Sequence, residues 1–208
     1  MIEHNLKALR PLLPGVGFGI ATVADFEQLP LYPEEARHAQ NMWPGRRCDF
    51  WMGRSAARRA LMDLGVAVGP VRADKRWPTF PPGTLGSVSH SGGIAVAIVG
   101  SAARFRSLGI DLELRPLPES AAKLVLGSGE IHWLTEGKCT CAEAFSAKEA
   151  AFKALDPLLD GGAPPLRQIL LAPTEGGFEV RLPTHPQVQS FVSIHHLSGG
   201  ILAWMAIC

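Results

Sequence analysis

The apolar positions of the chain switch between two periods, and the switches mark its elements. From 108 to 114 the order Leu-Gly-Ile-Asp-Leu-Glu-Leu has period two, which places Ile110, Leu112 and Leu114 on one face of a strand and Asp111 and Glu113 on the other. Further strands are expected over 17–23, 86–90, 94–99, 168–171, 178–182, 191–195 and 201–207. Turns at Ser91-Gly92-Gly93, Gly176-Gly177 and Gly199-Gly200 separate several of them, which predicts a mostly antiparallel sheet. Helical spacing takes over at 33–43, opened by Pro33 with Glu34 and Glu35 in its first turn. It returns at 46–64, where Phe50, Ala57, Ala60, Leu61 and Leu64 share a face and Gly65 closes the helix. A third helix is expected over 145–155, built from strong helix formers, with shorter helical pieces over 120–126 and 131–134. The chain is therefore assigned to the mixed α/β class, in its α+β form.

Composition narrows the picture. A chain of 208 residues allows one large domain or two of about 100. The short basic stretch over 101–107, with Arg104 and Arg106, is the candidate boundary. A net charge of +1 provides no overall field for nucleic acid or an anionic membrane, so any basic function must be local. No apolar run reaches the ~18 residues that span a bilayer, and Glu3, His4, Pro11 and Pro14 do not read as a secretory signal. Cys48, Cys139, Cys141 and Cys208 have neither zinc-ligand nor disulfide-framework spacing. They are expected to be reduced thiols of a cytoplasmic protein.

Four groups of residues are candidates for chemistry. Asp111 and Glu113 lie roughly 6–7 Å apart along a strand; they form either a solvated polar face or a site for a hard divalent cation. Arg47, Arg54 and Arg58 recur at i, i+7 and i+11 beside Arg46, and form either a stripe facing water or a phosphate cradle. Gly53 in the same helix costs about 1 kcal/mol relative to Ala, which signals a close neighbour. Lys75 and Arg76 add cations in a loop, and His90 ends a strand next to Ser89, where it is either structural or placed to meet an anion. Glu149 and Lys153 are i, i+4 on one helix face. Ser146, three residues before Glu149, also makes a capping box, so Glu149 either caps the helix or is free for chemistry.

Gly109-Ile110-Asp111-Leu112-Glu113, followed by Phe145-Ser146-Ala147-Lys148-Glu149-Ala150-Ala151-Phe152-Lys153, resembles in order and spacing the paired signatures of the 4′-phosphopantetheinyl transferases of the larger, monomeric type. Arg46-Arg47 with Phe50 and Gly53-Arg54, Lys75 with Trp77-Pro78, and Gly86-Ser87-Val88-Ser89-His90-Ser91 resemble the family's upstream motifs. The resemblance implies two similar halves, 1–104 and 105–208, related by pseudo-twofold symmetry with coenzyme A bound between them. It implies transfer of the 4′-phosphopantetheine arm of coenzyme A to a serine of an apo acyl, aryl or peptidyl carrier protein, with release of 3′,5′-ADP. Such carriers serve nonribosomal peptide, polyketide and siderophore synthesis. Mg²⁺ would be held by Asp111, Glu113 and Glu149. Arg46, Arg54, Lys75 and His90 would bind the phosphates of coenzyme A, with Ser89 nearby and Lys153 facing the pyrophosphate; the sequence does not separate Arg46 from Arg47 in this role. The general base would be Glu149, with Glu113 as the alternative. Val125-Leu126 and Ile131 to Trp133 are the residues between the two signatures that offer a surface to a carrier. Two other readings use the same residues. One is a metal-dependent phosphohydrolase of coenzyme A-like nucleotides, in which the ligands activate water; the other is a non-catalytic homologue that binds coenzyme A or a carrier.

Overall fold

The structure, a computed structural model, describes residues 2–25, 30–74 and 77–208, without the side chains of residues 74, 119 and 188. The chain runs α1 (Ile2–Ala8), β1 (Gly17–Thr22), α2 (Pro33–Ala39), α3 (Pro44–Leu64), β2 (Arg72–Asp74), β3 (Trp77–Thr79), β4 (Thr84–Ser91), β5 (Ile94–Ser101) and β6 (Ser107–Glu113). It continues through α4 (Ala122–Val125), α5 (His132–Thr135), α6 (Cys141–Leu155), β7 (Leu170–Thr174), β8 (Gly177–Leu182), β9 (His185–Leu197) and β10 (Gly200–Ile207). The expected α+β composition is borne out.

All strand pairings among the described residues are antiparallel. One sheet has the order β1-β5-β4, a second β6-β10-β9-β8-β7, and β2-β3 is a separate hairpin. The same pattern occurs twice. A strand leads to a long helix, then to a hairpin whose second strand sits beside the first strand of the set: β1, α3, β4–β5, and then β6, α6, β9–β10. β7 and β8 extend the second set. Each long helix lies on its sheet through an alanine face, Ala56, Ala57 and Ala60 on α3 and Ala147, Ala150, Ala151 and Ala154 on α6, all buried. Glycines in the strands below permit the approach. A Cβ at Gly19 would collide with the Ala56 carbonyl, and one at Gly109 with the Ala150 carbonyl. A third hydrophobic cluster joins the two sheets, with Phe18, Val96 and Ile98 packed among Leu108, Ile110, Leu112 and Trp204.

Element boundaries move where local chemistry outranks periodicity. α3 starts at Pro44, in the first turn, where a missing N–H costs nothing, and stops at Gly65 with φ 78° as expected. The helix at 33 ends at Ala39, short of 43. α6 begins at Cys141, with Thr140 as N-cap. Thr140 Oγ1 accepts from the Glu143 amide at 3.2 Å, and Glu143 returns the bond to the Thr140 amide at 2.5 Å. The capping box thus lies at Thr140 and Glu143, and Ser146 and Glu149 sit in the helix interior. β9, at 13 residues, is longer than its apolar core over 191–195. α1 and the β2–β3 hairpin have no counterpart in the sequence reading. The Trp77 indole donates to Asp156 Oδ2 at 2.6 Å, which ties that hairpin to the end of α6.

Candidate active site

β6 is an edge strand of the larger sheet, and both of its faces are covered. The carboxylate face is therefore not solvated: Asp111 is only 6% exposed. α6 lies over that face and brings Ser146 and Lys153, seven residues apart and so on one side of the helix, onto Asp111. Ser146 Oγ donates to Asp111 Oδ2 at 2.9 Å, and Lys153 Nζ donates to Asp111 Oδ1 at 2.7 Å and to the Ile110 carbonyl at 3.0 Å. Lys153 thus pairs with Asp111 rather than with Glu149.

β4 meets the free edge of β6 through side chains. Ser87, Ser89 and Ser91 accept the amides of Ile110, Leu112 and Leu114 at 3.1, 3.1 and 3.0 Å. The hydroxyls of Ser89 and Ser91 then donate to Asp111 Oδ1 and Glu113 Oε1, each at 2.9 Å. Glu113 Oε1 also accepts the Arg115 amide at 2.8 Å. Ser89, expected beside phosphate, is buried and turned toward Asp111. Ser87, Ser91 and Ser146 were not singled out from the sequence as site residues. For Ser87 and Ser91 the signal was present in the period-two serines of Gly-Ser-Val-Ser-His-Ser.

Glu149 is half-buried and accepts no hydrogen bond among the described residues. Burial raises the proton affinity of its carboxyl group; Lys153 opposes the shift and the charge of Asp111 adds to it. Among the described residues no three His, Cys, Asp or Glu side chains are gathered as a metal-holding group.

On the other side of β4 a cleft of about 190 Å³ is lined by Arg46, Asp49, Phe50, Arg54, Trp77 and His90 among others. Arg46, not Arg47, lines it. Arg54 is 6% exposed, and burial lowers its pKa to about 10, with Glu35 opposing and Arg58 adding. Its guanidinium stacks 4.2 Å from the Phe50 ring and donates to the Arg72 carbonyl at 3.3 Å, while Nε is buried without a partner. A buried, under-satisfied guanidinium calls for an anion. Arg58 takes no part: it is buried against Glu35 at 2.7 Å, so of the four arginines Arg46 and Arg54 line the cleft and Arg47 and Arg58 do not. Val88 explains Gly53, since a Cβ there would lie 3.1 Å from its Cγ1. His90 Nδ1 lies 3.8 Å from Asp49. Partial burial lowers the pKa of His90, Asp49 opposes, and Lys153 and Arg46 add to the lowering. His90 is thus within electrostatic reach of both the cleft and the carboxylates. Lys75 lies outside the described residues. Trp77 separates this cleft from a second one of about 300 Å³, lined by Phe80, Leu85, Val88 and Lys153 among others.

Lys148, in the same helix turn as Glu149, has a structural part. It is fully buried and donates to Glu130 Oε2 at 2.5 Å. Glu130 also accepts the amides of Gly127 and Leu171, at 2.7 Å each, which anchors the segment before α5 to β7.

Cations thus lie on one side of β4 and oriented carboxylates on the other. Residues 34–100 match the family described as 4′-phosphopantetheinyl transferase N-terminal domain, and residues 107–203 match the 4′-phosphopantetheinyl transferase superfamily. The enterobactin synthase component D of Escherichia coli O157:H7 is 32% identical over 171 residues, 76% of this chain and 80% of that protein. The 4′-phosphopantetheinyl transferase Svp of Streptomyces mobaraensis is 39% identical over 136 residues, 62% of this chain and 55% of that protein. The corresponding Npt of Nocardia iowensis is 37% identical over 139 residues, 64% and 62% of the two chains. The chain thus spans less than two thirds of Svp and of Npt. The holo-[acyl-carrier-protein] synthase of Thermotoga maritima has a TM-score of 0.40 at 25% identity, over 49% of this chain and 62% of that one. The chain belongs to the 4′-phosphopantetheinyl transferase superfamily.

Proposed function

We propose that the protein transfers the 4′-phosphopantetheine arm of coenzyme A to a serine of an apo carrier protein and releases 3′,5′-ADP. One observation carries this reading: the buried Arg54 guanidinium, short of partners, opens on a cleft beside Arg46 and His90, one strand away from Asp111, Glu113, Glu149 and Lys153. Coenzyme A carries a pyrophosphate and a 3′-phosphate and so needs both cations and a charge-neutralising centre. Arg46, Arg54 and His90 take phosphate oxygens, together with Lys75, and Lys153 faces the pyrophosphate. Phosphoryl transfer depends mainly on alignment and charge neutralisation, which fixed donors supply. Glu149, with Glu113 as the alternative, accepts the proton of the carrier serine.

Asp111, Glu113 and Glu149 carry oxygen donors of the kind a hard divalent cation takes, and one or two of them with phosphate oxygens suffice for Mg²⁺; the described side chains are not themselves gathered as a three-ligand group. Asp111, Glu113 and Glu149 would hold Mg²⁺, which would supply charge neutralisation on the transferred phosphate. The two strand-helix-hairpin sets are proposed as halves 1–104 and 105–208 about a pseudo-twofold axis, with coenzyme A between them. No helix among the described residues is long and apolar enough to cross a membrane, and a cytoplasmic monomer serving a peptidyl, aryl or acyl carrier suits this reading.

Incubation with Mg²⁺, coenzyme A and an apo peptidyl carrier tests the proposal. The mass of the carrier is expected to rise by one phosphopantetheine. Cleaved coenzyme A beside an unmodified carrier would identify a phosphohydrolase instead, and an unchanged mixture would identify a binding protein.

A further inference from the structure

Every hydroxyl of the β4 serine row has its acceptor side filled by a β6 amide. The position of its one proton is then settled by what stands next to it. Ser91 and Ser89 each face a carboxylate, which can only accept, so each must donate. On Glu113 the consequence is sharp. An oxygen of a carboxylate has roughly two acceptor positions, and Oε1 already receives the Ser91 hydroxyl and the Arg115 amide. Oε2 receives nothing among the described residues. Asp111 is handled in the same way: Oδ1 is filled by Ser89 and Lys153, while Oδ2 receives Ser146 alone.

We propose that Ser91 is a positioning residue for Glu113, which occupies Oε1 and leaves Oε2 as the oxygen that would be available to a divalent cation. Ser89 and Ser146 do the same for Asp111 and leave one acceptor position on Oδ2. The inference rests on the metal assignment made under the transferase reading. Outer-sphere hydrogen bonds of this kind are generally worth 10–100-fold in metal affinity. The row contains its own control. Ser87 accepts the Ile110 amide as Ser91 accepts that of Leu114, but no carboxylate contact is made by its hydroxyl among the described residues. Ser87→Ala removes a strand contact alone, whereas Ser91→Ala removes the strand contact and the carboxylate contact together.

The test is Mn²⁺ binding to the whole free protein, measured by calorimetry without coenzyme A, beside urea unfolding of each variant. Both S91A and S87A are expected to lose stability through the strand contact, S91A by at least as much as S87A. Only S91A should bind Mn²⁺ more weakly, by about 10-fold, and Ser91→Thr, which restores the hydroxyl, should recover affinity. If S91A does not fold, Ser91→Cys keeps the volume with a weak donor and should show the same loss. Wild-type affinity in the folded Ser91 variant would overturn the proposal, as would an equal loss in S87A or a wild-type protein that binds no Mn²⁺. Transfer to the carrier is measured separately. Its absence beside the expected Mn²⁺ pattern would sink the transferase reading and leave Ser91 in its role.

Discussion

Asp111 gathers two serine hydroxyls and an ammonium from two elements, β4 and α6, which makes it the residue on which the site turns. Asp111→Asn keeps its shape and most of its volume but removes the charge that Lys153 faces. Transfer is expected to fall by about 100-fold or more, the scale for a removed electrostatic group. Far-ultraviolet circular dichroism should stay at the wild-type spectrum. Undiminished transfer would exclude Asp111 as a charge-neutralising residue. The identities of such residues were legible in the sequence, since Asp111, Glu113, Glu149 and Lys153 stand at strand and helix spacings that converge. Their partners were not. The i, i+4 spacing puts Lys153 on the same helix face as Glu149, but the Ile110 carbonyl and Asp111 lie close enough to take its ammonium. The capping box at Ser146 failed for a related reason. Its pattern is local, and Thr140 with Glu143 offers the same pattern at the place where the chain enters the helix.

Elements are set by how closely they stack. α6 rests on β6 across Gly109, with backbone opposed to backbone, so neither side can yield by rotating a side chain. Gly109→Ala is expected to cost about 3 kcal/mol, the upper part of the range for overpacking, and to displace α6 together with Ser146 and Lys153. Lowered urea midpoints and lost transfer should appear together; a stable, active variant would contradict the packing. At the outer edge of α3, Arg59 bonds to Asp25 and, with the Thr22 amide, holds its carboxyl at about 2, below its ordinary 3.8. The folded state therefore binds the proton less tightly than the unfolded one. The stabilisation is complete above the ordinary value and is lost as pH falls through the folded one. Asp25→Asn is expected to lower the urea midpoint at pH 7 and to flatten its decline between about pH 4 and 2. The buried Ala57, Ala60 and Leu61 of α3 and the helix stop at Gly65 could be read directly from spacing. α1 could not, because it is short and acquires its place from the buried contact of Leu6 with residues distant in sequence.

At the scale of the molecule, the shared apolar cluster around Ile110 and the serine row from β4 to β6 hold the two larger sheets together, and the bond from Trp77 to Asp156 ties the β2–β3 hairpin to the end of α6. Trp77→Phe keeps the ring and removes the N–H. A hydrogen bond to a charged acceptor contributes about 1.5–3 kcal/mol, so the urea midpoint should fall accordingly while the transition stays single. Biphasic unfolding would instead mean that the hairpin latch is what makes the two sheets unfold as one. Most of this level was beyond the sequence. Antiparallel hairpins can be counted from their turns, but which edge meets which is decided by long-range packing. The serine row that joins β4 to β6 bears on descent. The acidic strand carries the carboxylates, yet their aim is stored in a strand that ends sixteen residues earlier in the chain, counted from Ser91 to Ser107. A recombinant that inherits one without the other receives the right acids pointing the wrong way, so Ser89, Ser91, Asp111 and Glu113 are expected to be exchanged between homologues only as a single block.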